Sequence, residues 1–115
     1  MTAGAGTTLW LSPEVIAGRR DYDQRTDVFS FGVLLSELDT HELPYFDARD
    51  GNGERMLDIM VAKKIVDDHL TPTFLPSCPR PVLELARRCL SFNPRERPAA
   101  AEILFRLDQV KQGDF

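Results

Sequence analysis

The stretch Thr26–Leu38, "TDVFSFGVLLSEL", decides the fold. Its apolar residues Val28, Phe29, Phe31, Val33, Leu34, Leu35 and Leu38 wrap most of a helical wheel instead of forming one stripe. A helix that is apolar nearly all round is buried on several sides. Thr26 or Asp27, polar and just ahead of the apolar run, reads as its N-cap. This is the central helix of something larger than a bundle of amphipathic members.

Before that helix, residues 1–26 hold Gly4, Gly6, Pro13 and Gly18 and show no sustained period. They read as an ordered loop with one helical turn around Pro13-Glu14-Val15, since proline suits a first turn. "TLWL" could form a short strand, limited by the proline that follows. After the central helix, "THELPYFDARDGNGE" is polar and turn-rich, and "DARDGNG" has the composition of a mobile surface loop.

A helix is expected from Glu54 to about Asp68 on Met56, Ile59, Met60, Ile65 and Val66, followed by the extended, proline-rich "HLTPTFLPSCPRP". "PVLELARRCL" opens with Pro81 and sets Val82, Leu85, Ala86 and Cys89 on one face. Asn93-Pro94 breaks it. A last helix starts near Pro98 and aligns Ile103, Leu104, Leu107 and Val110. The expected fold class is all-α, four helices with long ordered loops and no sheet of note.

At 115 residues the chain suits one domain or part of one. A composition 43% hydrophobic and 28% charged argues against wholesale disorder. A net charge of −4 supplies no basic field for nucleic acid or an anionic membrane. Arg19-Arg20 and Arg87-Arg88 read as solvated charges. Cys78 and Cys89 make neither a C-x-x-C motif nor a zinc set, and Cys89 falls on an apolar helical face as a buried free thiol. His41 and His69 match no motif. "MTAGAGTTLW" lacks a basic region followed by an apolar run, and no segment has the ~18 apolar residues of a membrane span. A cytoplasmic protein is expected.

Three motifs occur in order: "GT" with "SPE", then "DVFSFG", then "NPRERP". Together, from Gly6 to about Leu107, they resemble the C-terminal half of the large helical lobe of eukaryotic protein kinases. Ser12-Pro13-Glu14 is similar to the A-P-E motif with Ser in place of Ala. Asp27 to Gly32 matches the start of the family's buried central helix, and Arg97-Pro98 the arginine before its last helix. "CP" at 78–79, a helix ending in Cys89 and "NPRERP" are similar to the tyrosine-kinase-like group of serine/threonine kinases in particular. On this reading residues 1–26 are the end of the activation segment with the substrate loop, and 27–115 a helical subdomain.

The resemblance implies roles. Glu14 would pair with Arg97, whose planar fork suits a carboxylate, and Gly32 would be structural. Asp27 would accept hydrogen bonds from the backbone of the catalytic loop. Gly6 and Thr7 would lie at the substrate, Thr7 supporting the catalytic groups, while Trp10 and Leu11 line the pocket for the residue after the phosphoacceptor. Thr2 and Thr8 fall where activation-loop phosphorylation occurs. The "GT" pattern favours serine/threonine specificity, and the intact parent domain would use ATP and Mg²⁺ on a protein substrate.

Phosphoryl transfer also needs a Gly-rich loop, a strand lysine, a catalytic-loop Asp and Asn and a metal-binding Asp. The chain has no G-x-G-x-x-G, H-R-D or D-F-G, and Lys63, Lys64 and Lys111 fall too late for the strand lysine. It is therefore expected to hold no cofactor or metal and to be inactive alone, with the missing N-terminal half of the domain as its natural partner. Two other readings stand beside this one: a noncatalytic module binding a kinase or substrate protein, and a small helical protein unrelated to kinases. With the upstream half gone, an exposed apolar patch along Val28–Leu38 and poor solubility are expected.

Overall fold

The computed structural model describes residues 9–20 and 23–112. Among these residues five α-helices follow in order: α1 (Pro13–Ile16), α2 (Gln24–Thr40), α3 (Asp58–Asp68), α4 (Arg80–Cys89) and α5 (Ala100–Lys111). A 3-10 turn, Pro94–Glu96, precedes α5. Among the described residues there is no strand, only one isolated antiparallel bridge between Arg49 and Arg55. The fold is all-α.

The expected elements are present, with shifted edges. The N-cap of α2 is Asp23, whose side chain accepts from the Arg25 backbone N–H at 2.9 Å, so neither Thr26 nor Asp27 caps the helix. Thr26 instead turns its hydroxyl inward to Glu14. Leu9 and Trp10 adopt a 3-10 conformation where a strand was conceivable. Helix α3 starts at Asp58, not near Glu54, because Ala48 to Met56 form a hydrogen-bonded hairpin. The "DARDGNG" stretch is thus a defined turn, with Gly53 at φ +77°. Helices α2 and α3 both end on histidines in the left-handed conformation, His41 and His69.

Helix α2 is the hub. Phe29 and Val33 are buried with Leu90, while Val28 is buried with Leu85 and Cys89 of α4 and Ile103 of α5. A separate cluster of Leu9, Tyr45, Met56, Val61 and Ile65 joins the N-terminal loop to α3, with Trp10 and Ala48 against it. Cys78 and Cys89 are free and buried, and burial pushes the Cys89 thiol up to about 11.

The apolar patch on α2 is narrower than its sequence suggests. Leu34 is 40% and Leu38 60% exposed, but Val28, Phe29, Val33 and Leu35 are covered within this chain. For Val28, Phe29 and Val33 the cover comes from α4, α5 and Leu90, elements far along the sequence.

At Gly32, α2 lies close against the end of α4. A Cβ built there would lie 2.8 Å from Leu90 Cγ and 3.0 Å from Cys89 Cβ. Gly32→Ala should lose about 1–3 kcal/mol to overpacking, opposed by about 1 kcal/mol of improved helix propensity. A net loss in urea denaturation is expected, since Cys89 Cβ is fixed to a buried helix. A net gain would mean that α4 can move away freely.

Candidate functional site

Pro13, at the first turn of α1, starts a helical turn straight after the extended Ser12 and carries Glu14 inward. Glu14 there meets Arg97, 83 residues further on. The contact is a two-pronged fork: Nη1 donates to Glu14 Oε2 at 2.7 Å and Nη2 to Oε1 at 2.9 Å. The Arg97 side chain is fully buried.

A guanidinium removed from water needs all five N–H groups satisfied. Here Nε donates to the Ser91 carbonyl at 2.8 Å, Nη1 also to the Arg25 carbonyl at 2.9 Å, and Nη2 also to the Phe92 carbonyl at 3.3 Å. The Phe29 ring lies 5.0 Å from the guanidinium carbon, within cation–π range. Thr26 adds a hydroxyl donor to Glu14 Oε2 at 2.9 Å. One ion pair thus ties together the 12–17 loop, the start of α2 and the turn before α5.

Burial by itself raises the Glu14 carboxyl. The Arg97 fork, Glu14's own backbone N–H and the Thr26 hydroxyl outweigh burial and hold it below its ordinary value of 4.5. A carboxyl depressed on folding contributes stability that is full above the unfolded value and lost as pH falls through the folded one. Stability should therefore fall on acidification below about pH 4.5. Glu14→Gln should be less stable than the parent near neutrality and converge with it in acid. Glu102 is also lowered, by its bond to Arg88, but it is partly open to solvent, so salt should weaken its share far more than that of the buried Glu14. Urea melts from pH 3 to 7 at two salt concentrations would show this; parallel curves for parent and Gln variant would refute it.

On the other side of the loop, Ser30 Oγ of α2 donates to the Trp10 carbonyl at 2.6 Å. Trp10, Leu11, Asp27, Ser30, Phe31 and Leu34 line an open, mostly apolar groove of about 650 Å³. Asp27 stands exposed at its edge with no hydrogen-bond partner for its carboxylate among the described residues. Glu14 and Arg97 are thus in contact, Trp10, Leu11 and Asp27 share one groove, and Gly32 sits under α4. Thr2, Gly6, Thr7 and Thr8 lie outside the described residues.

Sequence reasoning missed Thr26, Ser30 and Phe29 as supports of this site. The hydroxyls at 26 and 30 are four apart, hence on one helix face toward the loop, and that spacing was the available signal. It also missed Tyr45, buried at φ +61° with its hydroxyl unpartnered among the described residues.

Lys63 and Lys64 pair with Asp67 and Asp68 one turn on. No group of three or more His, Cys, Asp or Glu among the described residues could hold a metal ion. No described helix is long and apolar enough to cross a membrane.

The protein kinase domain family model matches residues 1–106. The probable serine/threonine-protein kinase kinX of Dictyostelium discoideum is 39% identical over 92% of this chain and 9% of its own length. The dual specificity protein kinase shkD of the same organism is 38% identical over 94% of this chain and 13% of its own. Human mitogen-activated protein kinase kinase kinase 11 is 36% identical over 95% and 12%. The chain thus spans about a tenth of the length of these relatives. With the family matched across nearly all of the chain, the chain belongs to the protein kinase domain family.

Proposed function

We propose that this chain is the substrate-positioning side of a serine/threonine kinase domain whose intact form transfers the ATP γ-phosphate to protein serine or threonine. The observation that carries this is the Glu14–Arg97 fork, which fixes the 9–17 loop on α2 while the Trp10–Leu11 groove stays open. A rigidly held loop beside an apolar groove can orient an extended peptide, and orientation is a large part of what phosphoryl transfer asks of a protein. Trp10 and Leu11 receive the residue after the phosphoacceptor, and Gly6 and Thr7 approach the acceptor hydroxyl. Asp27 receives the backbone of the catalytic loop, and Thr2 and Thr8 are the candidate phosphorylation sites. ATP and Mg²⁺ bind through residues that this chain does not carry, in a cytoplasmic setting.

The test is phosphate transfer from labelled ATP to a serine/threonine peptide library. The chain alone should give none. Fused in frame behind the upstream half of a related kinase domain it should give transfer, reduced at least tenfold by Trp10→Ala or Asp27→Ala. Transfer by the chain alone, or a folded fusion that modifies only tyrosine, would overturn the reading.

A further inference from the structure

The hairpin between α2 and α3 holds two arginines in an unfavourable arrangement. Arg49 and Arg55 face each other across the antiparallel bridge. The flanking bonds are Asp50 N–H to the Glu54 carbonyl at 2.9 Å and Met56 N–H to the Ala48 carbonyl at 3.0 Å. That pattern makes residues 49 and 55 a non-hydrogen-bonded pair, the closer of the two antiparallel registers. Side chains directly opposite one another share a face, with Cβ atoms about 4.5–5.5 Å apart, and like charges there are destabilising.

The register is firmly set. Asp50 Oδ1 accepts from the backbone N–H groups of Asn52 at 2.8 Å and Glu54 at 3.0 Å, and Gly53 N–H reaches the Asp50 carbonyl at 3.1 Å. The Asp50 carboxylate is therefore engaged in the turn. Ala48 and Met56 point into the cluster that also contains Leu9 and takes Trp10 against it. Alternation across the pleat then sends Arg49 and Arg55 to the outer face, where both are exposed. Neither has a hydrogen bond or ion pair among the described residues, whereas Arg25, Arg80, Arg88, Arg97 and Arg106 all have carboxylate partners.

We propose that the Arg49–Arg55 pair is a recognition site for a phosphorylated serine or threonine side chain of the protein substrate. A phosphate monoester carries about −1.5 to −2 charges and three acceptor oxygens, enough for two guanidinium forks; a single carboxylate satisfies one. Met56 on the hairpin's inner face belongs to the cluster against which Trp10 packs, and Trp10 also lines the loop groove, so one core cluster supports both the hairpin and the groove. The acidic neighbours Asp47, Glu54 and Asp58 and a net charge of −4 disfavour a polyanion or lipid surface over one localised phosphate.

This rests on the substrate-side reading above, but anion capture is read without phosphoryl transfer, so either can fail while the other stands. The full chain, ¹⁵N-labelled, is titrated with N-acetyl-phosphoserine methylamide and with its serine and glutamate counterparts, following arginine Nε–Hε resonances. The two signals lost in Arg49→Gln and Arg55→Gln should move together with the phosphoserine compound, less with glutamate, and not with serine. Each variant should bind it at least about tenfold more weakly while melting at the same or a higher temperature, since each removes a like-charge contact. Unmoved signals or unchanged affinity in the variants would overturn the proposal. So would an equal response to sulfate at matched ionic strength, or a stronger one to phosphatidylserine vesicles.

Discussion

Arg97→Ala should lower stability by about 3–5 kcal/mol, because it leaves the buried Glu14 charge uncompensated. It should cost more than a simple ion-pair deletion. The same side chain satisfies the carbonyls of Arg25, Ser91 and Phe92, which would lose their donor together. Against a typical stability of 5–15 kcal/mol, a loss of that size takes a large fraction of the total. Replacing both partners, Glu14→Leu with Arg97→Met, should recover only part of the loss. Paired apolar replacement can be neutral for a buried ion pair, but here the Ser91 and Phe92 carbonyls and the Thr26 hydroxyl lose their partners. A double variant as stable as the parent in urea would show that the carbonyl contacts contribute little and that the pair alone holds the loop.

Phe29→Ala should cost about 3–5 kcal/mol, the range for emptying a large aromatic from a packed core. Phe29 is 1% exposed, shares its cluster with Val33 and Leu90, and lies against the Arg97 guanidinium. Its removal leaves a cavity under the ion pair and takes away a cation–π contact. Phe29→Leu should recover most of the packing term and none of the cation–π term, worth about 0.5–2 kcal/mol at a desolvated site. The measurement is urea denaturation of the three proteins with and without Arg97→Met. If Phe29→Ala and Arg97→Met add without coupling, the ring and the guanidinium do not support each other.

Most of the helical architecture was legible in the residues. The all-round apolar run of α2 made it the hub, Pro81 marked the start of α4, and the 3.6-residue spacing of Ile103, Leu104, Leu107 and Val110 marked α5. What misled was local chemistry with two uses. Thr26 and Asp27 are good N-caps, but Asp23 holds that position and Thr26 is turned inward by Glu14, a residue in a different segment. Met56 has the character of a helix residue, yet it closes a hairpin whose pairing depends on Ala48. In the candidate site, Trp10, Leu11, Asp27, Glu14 and Arg97 could be named from motifs. Ser30 and the three carbonyls could not, because neither a lone serine nor a backbone oxygen carries a signature.

By itself, then, the sequence determined the kind of chain this is: all-α, built round one buried helix, with the motifs of a kinase large lobe. Those properties live in local periodicity, proline placement and residue identity, which need no partner to be read. The tertiary structure alone decided which groups meet: the Arg97 fork with its carbonyls, the Gly32 contact with Leu90, the covering of Val28 and Val33, and the register that sets Arg49 against Arg55. The physical reason is that hydrogen-bond geometry, van der Waals contact and strand register act over a few ångströms. The segments they join lie five to eighty-three residues apart along the chain, and only their packing brings them within that range.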